Sequence, residues 1–366
     1  MITKPTVLVT GACGTLGARL IRCLADFQVI GTDVREPENR DHLFRFERID
    51  LAEERSCDQL LDLVRAYGPE AVVHLAVVDS LPQLRKLDSQ SLWAINVAGT
   101  SRVIEAIAEY NRLIGGIERF VFLSTAAVYG PEPVLPVRED AGLKARGLVY
   151  ALQQQEADLT VRARAPSLRR CNVYILRPQN PAGAGIENYP LAVLRGYPGG
   201  KGRLAEHLRR RATRLPLLLP NGGDYLEHKF QFVHADDLAR LMAYIVGPRE
   251  GDPKLQILNV AGRGEPLSLR RCAEIAHLPV KHLPSTGLCR QALGFLWDWD
   301  VSEVPPEFYP YLLGSCVLDT TRLRVFLGDR YRSTIQYTSE EALLESMAFF
   351  ATARPSARQT SHVKSP

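Results

Sequence analysis

The chain of 366 residues is 46% hydrophobic and 23% charged, which excludes a wholly disordered or fibrous protein. Its 45 lysines and arginines exceed its 41 aspartates and glutamates by four, a surplus too small to indicate nucleic-acid binding. No apolar run approaches the roughly 20 residues of a membrane span, and no basic signal-peptide segment precedes the first apolar run. The seven cysteines form no Cys-x-x-Cys pair, which is typical of reduced thiols. The sequence therefore predicts a cytoplasmic protein.

The first half of the chain alternates short apolar runs with amphipathic segments of helical period. Strands are predicted at residues 6–10, 28–32, 71–75, 119–124 and 172–177. Helical segments between them include residues 16–25, 60–67 and 91–113. Because strands joined by helical crossovers pair in parallel, the pattern predicts an α/β fold with a doubly wound parallel sheet.

After Pro178 the alternation becomes irregular, and proline, glycine and arginine are frequent from residue 186 to 223. It then returns, with a strand predicted at 231–234, a helix at 235–246 and a strand at 255–260. Two aromatic stretches, 295–299 and 308–311, are typical of a core or of a lid over a substrate.

These patterns predict two domains, of which the smaller C-terminal one is formed partly by insertions. The first comprises residues 1–178, with 231–262 returning to it. The second, a substrate-binding region, comprises 179–230 and 263–350. Residues 351–366 lack apolar periodicity and are predicted to form a disordered tail.

A glycine-rich turn follows the first predicted strand. It reads Thr10-Gly11-Ala12-Cys13-Gly14-Thr15-Leu16-Gly17. Glycines here allow the backbone to approach a pyrophosphate closely, and the helix N-terminus that follows offers N–H donors and a positive dipole. Gly11, Gly14, Thr15, Leu16 and Gly17 are therefore predicted to bind a dinucleotide in a Rossmann-type domain.

The second predicted strand leads to an acidic residue that suits the adenosine ribose. Asp33 lies 22 residues beyond Gly11, where a carboxylate can accept both ribose hydroxyls. Its charge would repel a 2′-phosphate, so NAD is the predicted cofactor. Arg35, two residues later, keeps NADP as the less favoured alternative.

The motifs, taken in chain order over residues 5–350, resemble those of the extended short-chain dehydrogenases/reductases. The resemblance is to their NAD-dependent epimerase/dehydratase group, which includes UDP-glucose 4-epimerase-like proteins. The motifs are Thr10–Gly17, Asp50-Leu51, His74–Ala76, Asn96–Thr100, Ser124–Gly130, Leu176–Asn180, Phe232–Ala239 and Leu258–Gly262.

This resemblance implies which further residues surround the cofactor. Asp50 and Leu51 would lie by the adenine, and Leu75, Ala76, Val77 and Pro178 would line the cofactor. Asn96 would order the helix behind the active site. His74 and His234 match structural positions of the family, and no metal site is predicted.

The family's chemistry uses a Ser or Thr, a Tyr, and a Lys four residues after the Tyr. The resemblance places these positions at Thr125, Tyr150 and Gln154, so the lysine is absent. A Tyr phenolate takes the proton from a substrate hydroxyl while a hydride passes to nicotinamide. The Gln154 amide can still bind a ribose hydroxyl, but it carries no charge with which to lower a tyrosine pKa. Three alternatives stay open: catalysis with a less acidic tyrosine, a substitute cation from Lys144 or Arg146, or lost redox chemistry.

The substrate half departs from the sugar-nucleotide epimerases. Asn180 matches a substrate-contacting Asn of the family, whereas Phe230 replaces an Arg that such epimerases place against UDP phosphates. The basic segment Arg195–Arg214 could receive a diphosphate instead, with Arg209 and Arg210 as candidate contacts. A solvated basic face is an equally good interpretation of that segment.

The sequence thus predicts an NAD-dependent epimerase/dehydratase-type oxidoreductase. Its substrate would be a secondary alcohol or ketone in a polar or nucleotide-linked metabolite, sugars included. A non-catalytic NAD-binding structural or sensor protein and a simple ketone reductase are the alternatives. By the family resemblance, a homodimer could form through residues 91–113 and 150–164.

Overall fold

The structure is a computed structural model, and it describes residues 4–78, 81–248 and 251–352. The strands are β1 (Thr6–Thr10), β2 (Gln28–Asp33), β3 (Arg45–Arg48), β4 (Ala71–His74), β5 (Arg119–Leu123), β6 (Asn172–Pro178), β7 (Pro181–Ala182), β8 (Leu217–Pro220), β9 (Lys229–Phe230), β10 (Val233–His234), β11 (Leu255–Val260), β12 (Leu267–Ser268) and β13 (Val280–Leu283).

The helices alternate with these strands in the first half of the chain and predominate in the second half. They are α1 (Thr15–Cys23), α2 (Ser56–Tyr67), α3 (Leu81–Lys86), α4 (Ser89–Trp93), α5 (Gly99–Leu113), α6 (Val149–Arg164), α7 (Tyr189–Arg195), α8 (Arg203–Arg210), α9 (Ala235–Val246), α10 (Leu269–Ile275), α11 (Thr286–Asp298), α12 (Tyr309–Leu313), α13 (Thr321–Leu327), α14 (Tyr331–Thr334) and α15 (Ser339–Thr352). Within the described residues, no helix is long and apolar enough to cross a membrane.

Seven of the strands form one parallel sheet in the order β11-β6-β5-β4-β1-β2-β3. Apolar residues of α1 and α9 cover one face, and those of α2, α5 and α6 cover the other. Strands such as β4 are buried along their whole length, as expected when helices cover both faces. The prediction of an α/β fold with a Rossmann-type doubly wound parallel sheet is confirmed.

The local differences from the sequence predictions have physical causes. Of residues 231–234, Val233 and His234 form strand β10, which pairs with β7, whereas the preceding strand β9 pairs with β12. Strand β3 carries no apolar run, since Phe46 is its one buried residue, and the sequence pattern missed it. The last helix reaches Thr352, two residues into the predicted tail, and the rest of that tail lies outside the described residues.

The helix predicted at 91–113 is interrupted by a π-helical segment, Ala94–Ala98. Asn96 in this segment accepts a hydrogen bond from the Val78 backbone N–H at 2.8 Å. Its amide nitrogen donates to Gln153 Oε1 on α6 at 2.9 Å. Asn96 is 1% exposed, so both bonds are made in the interior. Helical periodicity does not reveal this wider π turn. It lies where the Asn96 side chain links the backbone at Val78 to helix α6.

Most of the remaining helices and short strand pairs form a second apolar core at the carboxyl ends of the sheet strands. Phe230, Phe232, Leu191, Leu269 and Tyr309 are among its buried members. Helix α15 closes this region against α7, α10 and the β7–β10 pair. The cleft described below lies between this core and the large sheet.

A buried ion pair connects the sheet to helix α6. Arg177 on β6 donates to Asp158 on α6 through Nε at 2.9 Å and through Nη2 at 2.7 Å, and both side chains are fully buried. Ser124 Oγ donates to the same carboxylate at 2.7 Å, and Arg177 Nη1 donates to the Tyr129 hydroxyl at 2.9 Å. Such a pair is stable only while every charge keeps its partners.

Asp158→Ala is expected to lower the free energy of unfolding by about 3–5 kcal/mol, because it leaves Arg177 charged and unpaired in the interior. The double variant Asp158→Leu/Arg177→Met should regain most of that loss, since no buried charge remains. Urea titration measures both. Glu109→Ala, which breaks an exposed pair with Arg112, serves as control and should cost less than about 1 kcal/mol. Equal losses in the single and double variants would contradict this account.

Candidate active site

A cleft of about 630 Å³ opens at the carboxyl ends of the sheet strands. Ligands of doubly wound sheets bind at this edge. The cleft brings together most residues that the sequence singled out: Gly11, Gly14, Thr15, Leu16, Gly17, Asp33, Asp50, Leu51, Leu75, Ala76, Val77, Thr125, Tyr150, Pro178 and Asn180. Of the other predicted residues, Asn96 and Gln154 lie buried behind it, and Arg209 and Arg210 do not line it.

The glycine-rich turn closes one end of the cleft. Gly11 has a φ of +71°, and a Cβ there would lie 2.7 Å from the Ala76 backbone nitrogen. A Cβ on Gly17 would overlap the Gly11 carbonyl oxygen. Helix α1 begins directly after Gly14, and no side chain caps its first turn. Its N–H groups therefore suit an anionic group in the cleft, such as a pyrophosphate.

Asp33 is fixed at the rim of the cleft by two backbone donors. Its Oδ2 accepts from Cys13 N at 3.0 Å and its Oδ1 from Arg35 N at 3.1 Å. The Arg35 guanidinium turns back to the Cys13 carbonyl at 3.2 Å and lies 3.8 Å from the carboxylate. This arrangement leaves the carboxylate in position to accept further hydrogen bonds from a diol.

Thr125 and Tyr150 reach the cleft from different elements. Thr125 follows β5 and caps the 3-10 turn Ala126–Tyr129 by accepting from Ala127 N at 3.3 Å. Tyr150 is the second residue of α6 and is half-buried. Helix α6 is held beside the cleft by its Gln153, whose amide donates to the Ser89 carbonyl at 3.0 Å while its oxygen accepts from Asn96. Sequence reasoning had no signal for this role of Gln153.

Gln154 lies one helical turn after Tyr150 and is 1% exposed. Its Oε1 has no hydrogen-bond partner among the described residues. An unsatisfied buried carbonyl is costly, and a hydroxyl that donated to it would remove the cost. Binding of a ribose hydroxyl by Gln154 stays a prediction, because Gln154 is not among the described residues that line the cleft.

No cation replaces that lysine among the described residues that line the cleft. Arg35, at the opposite end, is the one cationic side chain in that lining. Lys144 and Arg146, the substitutes considered from the sequence, are not part of it, and Arg146 pairs with Glu132 at 2.7 Å. The described lining of the cleft therefore shows no replacement for that lysine.

The structure places Arg209 and Arg210 on α8, away from the cleft lining. Arg209 donates to the backbone carbonyls of Pro198 and Gly200, and Arg210 pairs with Glu206 at the helix surface. Substrate binding by these two arginines stays a prediction without support from this geometry.

The opposite wall of the cleft comes from the second core. Residues 185–190, together with Phe308 and Tyr311, form this wall. In the sequence, only the aromatic stretch 308–311 indicated this wall. The sequence left open whether that stretch belongs to a core or to a lid. Phe308 belongs to both, because it is buried and also lines the cleft.

The chain is similar to known enzymes in sequence and in structure. Residues 7–261 match the model of the NAD dependent epimerase/dehydratase family. A UDP-glucose 4-epimerase of Drosophila melanogaster is 26% identical over 261 residues, which are 65% of this chain and 71% of that protein. A dTDP-4-dehydro-6-deoxy-D-allose reductase of Streptomyces sp is 24% identical over 259 residues, 64% of this chain and 70% of that one.

A solved structure with the same fold is that of a Thermus thermophilus UDP-glucose 4-epimerase in complex with NAD. The TM-score is 0.63, with 95% of this chain and 99% of that chain covered, at 20% sequence identity. At that identity the likeness shows the shared fold.

Gly17→Ala is expected to reduce stability by about 1–3 kcal/mol, because the added methyl group must displace the Gly11 carbonyl. Gly294→Ala is the control. Gly294 lies within α11, a Cβ there would meet nothing within 4 Å, and alanine should stabilise the helix by about 0.5–1 kcal/mol. Thermal unfolding of both variants measures the difference. Equal stability of Gly17→Ala and the unmodified protein would show that the turn does not have the packing described.

Proposed function

Since this chain belongs to the NAD dependent epimerase/dehydratase family, we propose that it transfers a hydride between NAD and a secondary alcohol or its ketone. The substrate is a polar or nucleotide-linked metabolite, with nucleotide sugars the leading class. The observation that supports this most directly is the single cleft that Asp33, the glycine-rich turn, Thr125 and Tyr150 share.

The cofactor's position follows from the residues that fit it. The N-terminus of α1 and the glycine-rich turn would hold the pyrophosphate, Asp33 the adenosine ribose, and Gln154 Oε1 a hydroxyl of the nicotinamide ribose. Leu75, Ala76, Val77 and Pro178 would line it with apolar surface. When bound, NAD supplies the hydride acceptor or, reduced, the donor.

The protein's own part in the reaction is to orient a substrate oxygen and to move its proton. The Thr125 hydroxyl would donate to or accept from that oxygen, and the Tyr150 hydroxyl would exchange the proton with it. Because Gln154 is neutral, it would position the ribose without stabilising a phenolate. Proton transfer would therefore lack the charge that the family's lysine supplies.

Two other functions remain alternatives, each with an observation in its favour. The neutral, buried Gln154 favours a protein that binds NAD without turnover. The likeness to a reductase supports net reduction of a ketone, with NADH as donor, as the other alternative.

A homodimer through α4–α5 and α6 belongs to the same proposal. Trp93 on α4 and Leu152 and Leu159 on α6 are exposed apolar side chains that such an interface would cover.

Asp33→Ala is expected to weaken NAD binding by about 1–3 kcal/mol, because the ribose loses hydrogen bonds to a charged acceptor. Unmodified protein should bind NAD more tightly than NADP, and the variant should lose that preference. Isothermal titration calorimetry with both cofactors decides this. Asp26→Ala, an exposed carboxylate at the amino end of β2, is the matched control. Equal or tighter NADP binding by the unmodified protein would contradict the preference.

The pH dependence of turnover tests the role of Tyr150. A tyrosine with the reference pKa of about 10 is about 0.1% ionised at pH 7, so activity on a responsive nucleotide sugar or ketone should keep rising above pH 8. Gln154→Lys should move that rise to lower pH, because an ammonium favours the phenolate. Gln154→Ala should leave its position unchanged. Steady-state rates from pH 6 to 10 measure these effects.

Tyr150→Phe should nearly abolish turnover and leave NAD binding largely intact. Tyr225→Phe is its control. Lys229 follows Tyr225 by four residues, which is the family's Tyr–Lys spacing, but both residues lie outside the cleft. Full activity of Tyr150→Phe would overturn the proposed mechanism. NAD binding without turnover of any substrate in the panel would favour the non-catalytic alternative.

A further inference from the structure

A second cavity of about 80 Å³ adjoins the cleft beyond Thr125. The two share the walls formed by Thr125, Asn180, Phe308 and Tyr311. Since one water molecule needs roughly 10–15 Å³ of such space, the cavity has room for several waters or for one small organic group. Because Thr125 lines both spaces, a substrate whose reacting oxygen lies at Thr125 can extend a neighbouring substituent into this cavity.

The inner walls of this cavity are apolar and buried. Phe230, Phe232 and Leu269 are 8%, 2% and 2% exposed, and Leu194 and Leu312 are also buried beside them. No lysine, arginine or histidine is among the described residues that line it. Phe230 places a phenyl ring at the position where, by the family resemblance, sugar-nucleotide epimerases carry an arginine.

Several polar groups in this lining are already hydrogen-bonded. The Tyr311 hydroxyl accepts from Arg146 N at 3.1 Å and donates to the Arg146 carbonyl at 3.2 Å. The Asn180 amide donates to the Gln231 carbonyl at 3.1 Å. Gln179 Oε1 accepts from the Cys316 thiol at 3.3 Å, and burial raises the pKa of that thiol to about 12, so it is neutral.

From these observations we infer that the cavity is a subsite for a small apolar substituent of the substrate. The inference rests on the proposed function, because Thr125 and Tyr150 define where the reacting oxygen lies. A phosphate in this cavity would be buried without a cation, at a large desolvation cost. A hydroxyl against the phenyl and aliphatic walls would lose its hydrogen bonds to water. The substrates selected are secondary alcohols or ketones with a methyl-sized to isopropyl-sized group on that side. In a nucleotide-linked substrate, the phosphates must lie elsewhere.

Xenon tests the chemistry of the cavity independently of turnover. It occupies dry apolar cavities and not hydrated polar ones. Crystals of the NAD-loaded protein under xenon pressure should show an anomalous peak between Phe230, Phe232 and Leu269. Ordered waters there instead of xenon would overturn the inference, even if NAD binding and turnover are as proposed.

A matched pair of ketones tests the substrate. The compounds 2-methylcyclohexanone and 2-hydroxycyclohexanone carry a methyl or a hydroxyl group of similar size beside the reacting carbonyl. The methyl compound should bind the NADH-loaded protein about 10- to 100-fold more tightly, the range in which an apolar pocket rejects a hydroxyl isostere. Quenching of NADH fluorescence measures both. Equal affinities, tighter binding of the hydroxy compound, or no binding of either would overturn the inference.

The variant Phe230→Tyr tests whether the substituent of the ketone lies in this cavity, because it adds one hydroxyl to the cavity wall. The ratio of the two affinities should fall toward one, with NAD affinity unchanged. Phe295→Tyr, which alters an exposed ring on α11, is the control and should keep the ratio of the unmodified protein. An unchanged ratio in a folded Phe230→Tyr protein would place the substituent elsewhere.

Discussion

The ion pair between Arg177 and Asp158 fixes the geometry on which the candidate active site depends. Both side chains are fully buried, so each charge is tolerable only while it is paired and hydrogen-bonded. Asp158 belongs to the helix that carries Tyr150, and Ser124, which donates to the same carboxylate, directly precedes Thr125. Any displacement of α6 along the sheet would leave a charge unpaired in an apolar interior. The pair therefore sets the position of Tyr150 relative to Thr125.

The charges of the cleft are unevenly distributed, and this shapes the chemistry it can support. Asp33 and Arg35 lie at the end formed by the glycine-rich turn, held by the backbone and by each other. The other end, around Tyr150, has no cationic side chain among the described residues of the lining. Gln154, which stands where the family resemblance expects a lysine, is buried and neutral, so it brings no charge to this end.

The region beyond Thr125 differs from the cofactor side in its physical character. The cofactor side offers backbone N–H groups, a carboxylate and an amide, whereas the adjoining cavity offers phenyl and aliphatic surface. Phe230 contributes to that surface and also to the core of the second region, so its identity affects both packing and specificity. Differences in substrate among proteins of this fold can therefore arise from residues that also build the core.

The sequence by itself determined the sheet, because its strands and helices rest on local periodicity, and it predicted a cofactor site from glycine spacing and from Asp33. The resemblance of its motifs to a family predicted the roles of Thr125 and Tyr150. It also showed the loss of the lysine at Gln154. Tertiary structure alone decided the π segment around Asn96, the absence of Arg209 and Arg210 from the cleft, and the apolar cavity. These depend on which distant side chains meet: Asn96 with Gln153, Arg209 with the Pro198 carbonyl. Periodicity records whether a residue is buried, and it carries no information about the partner with which that residue is buried.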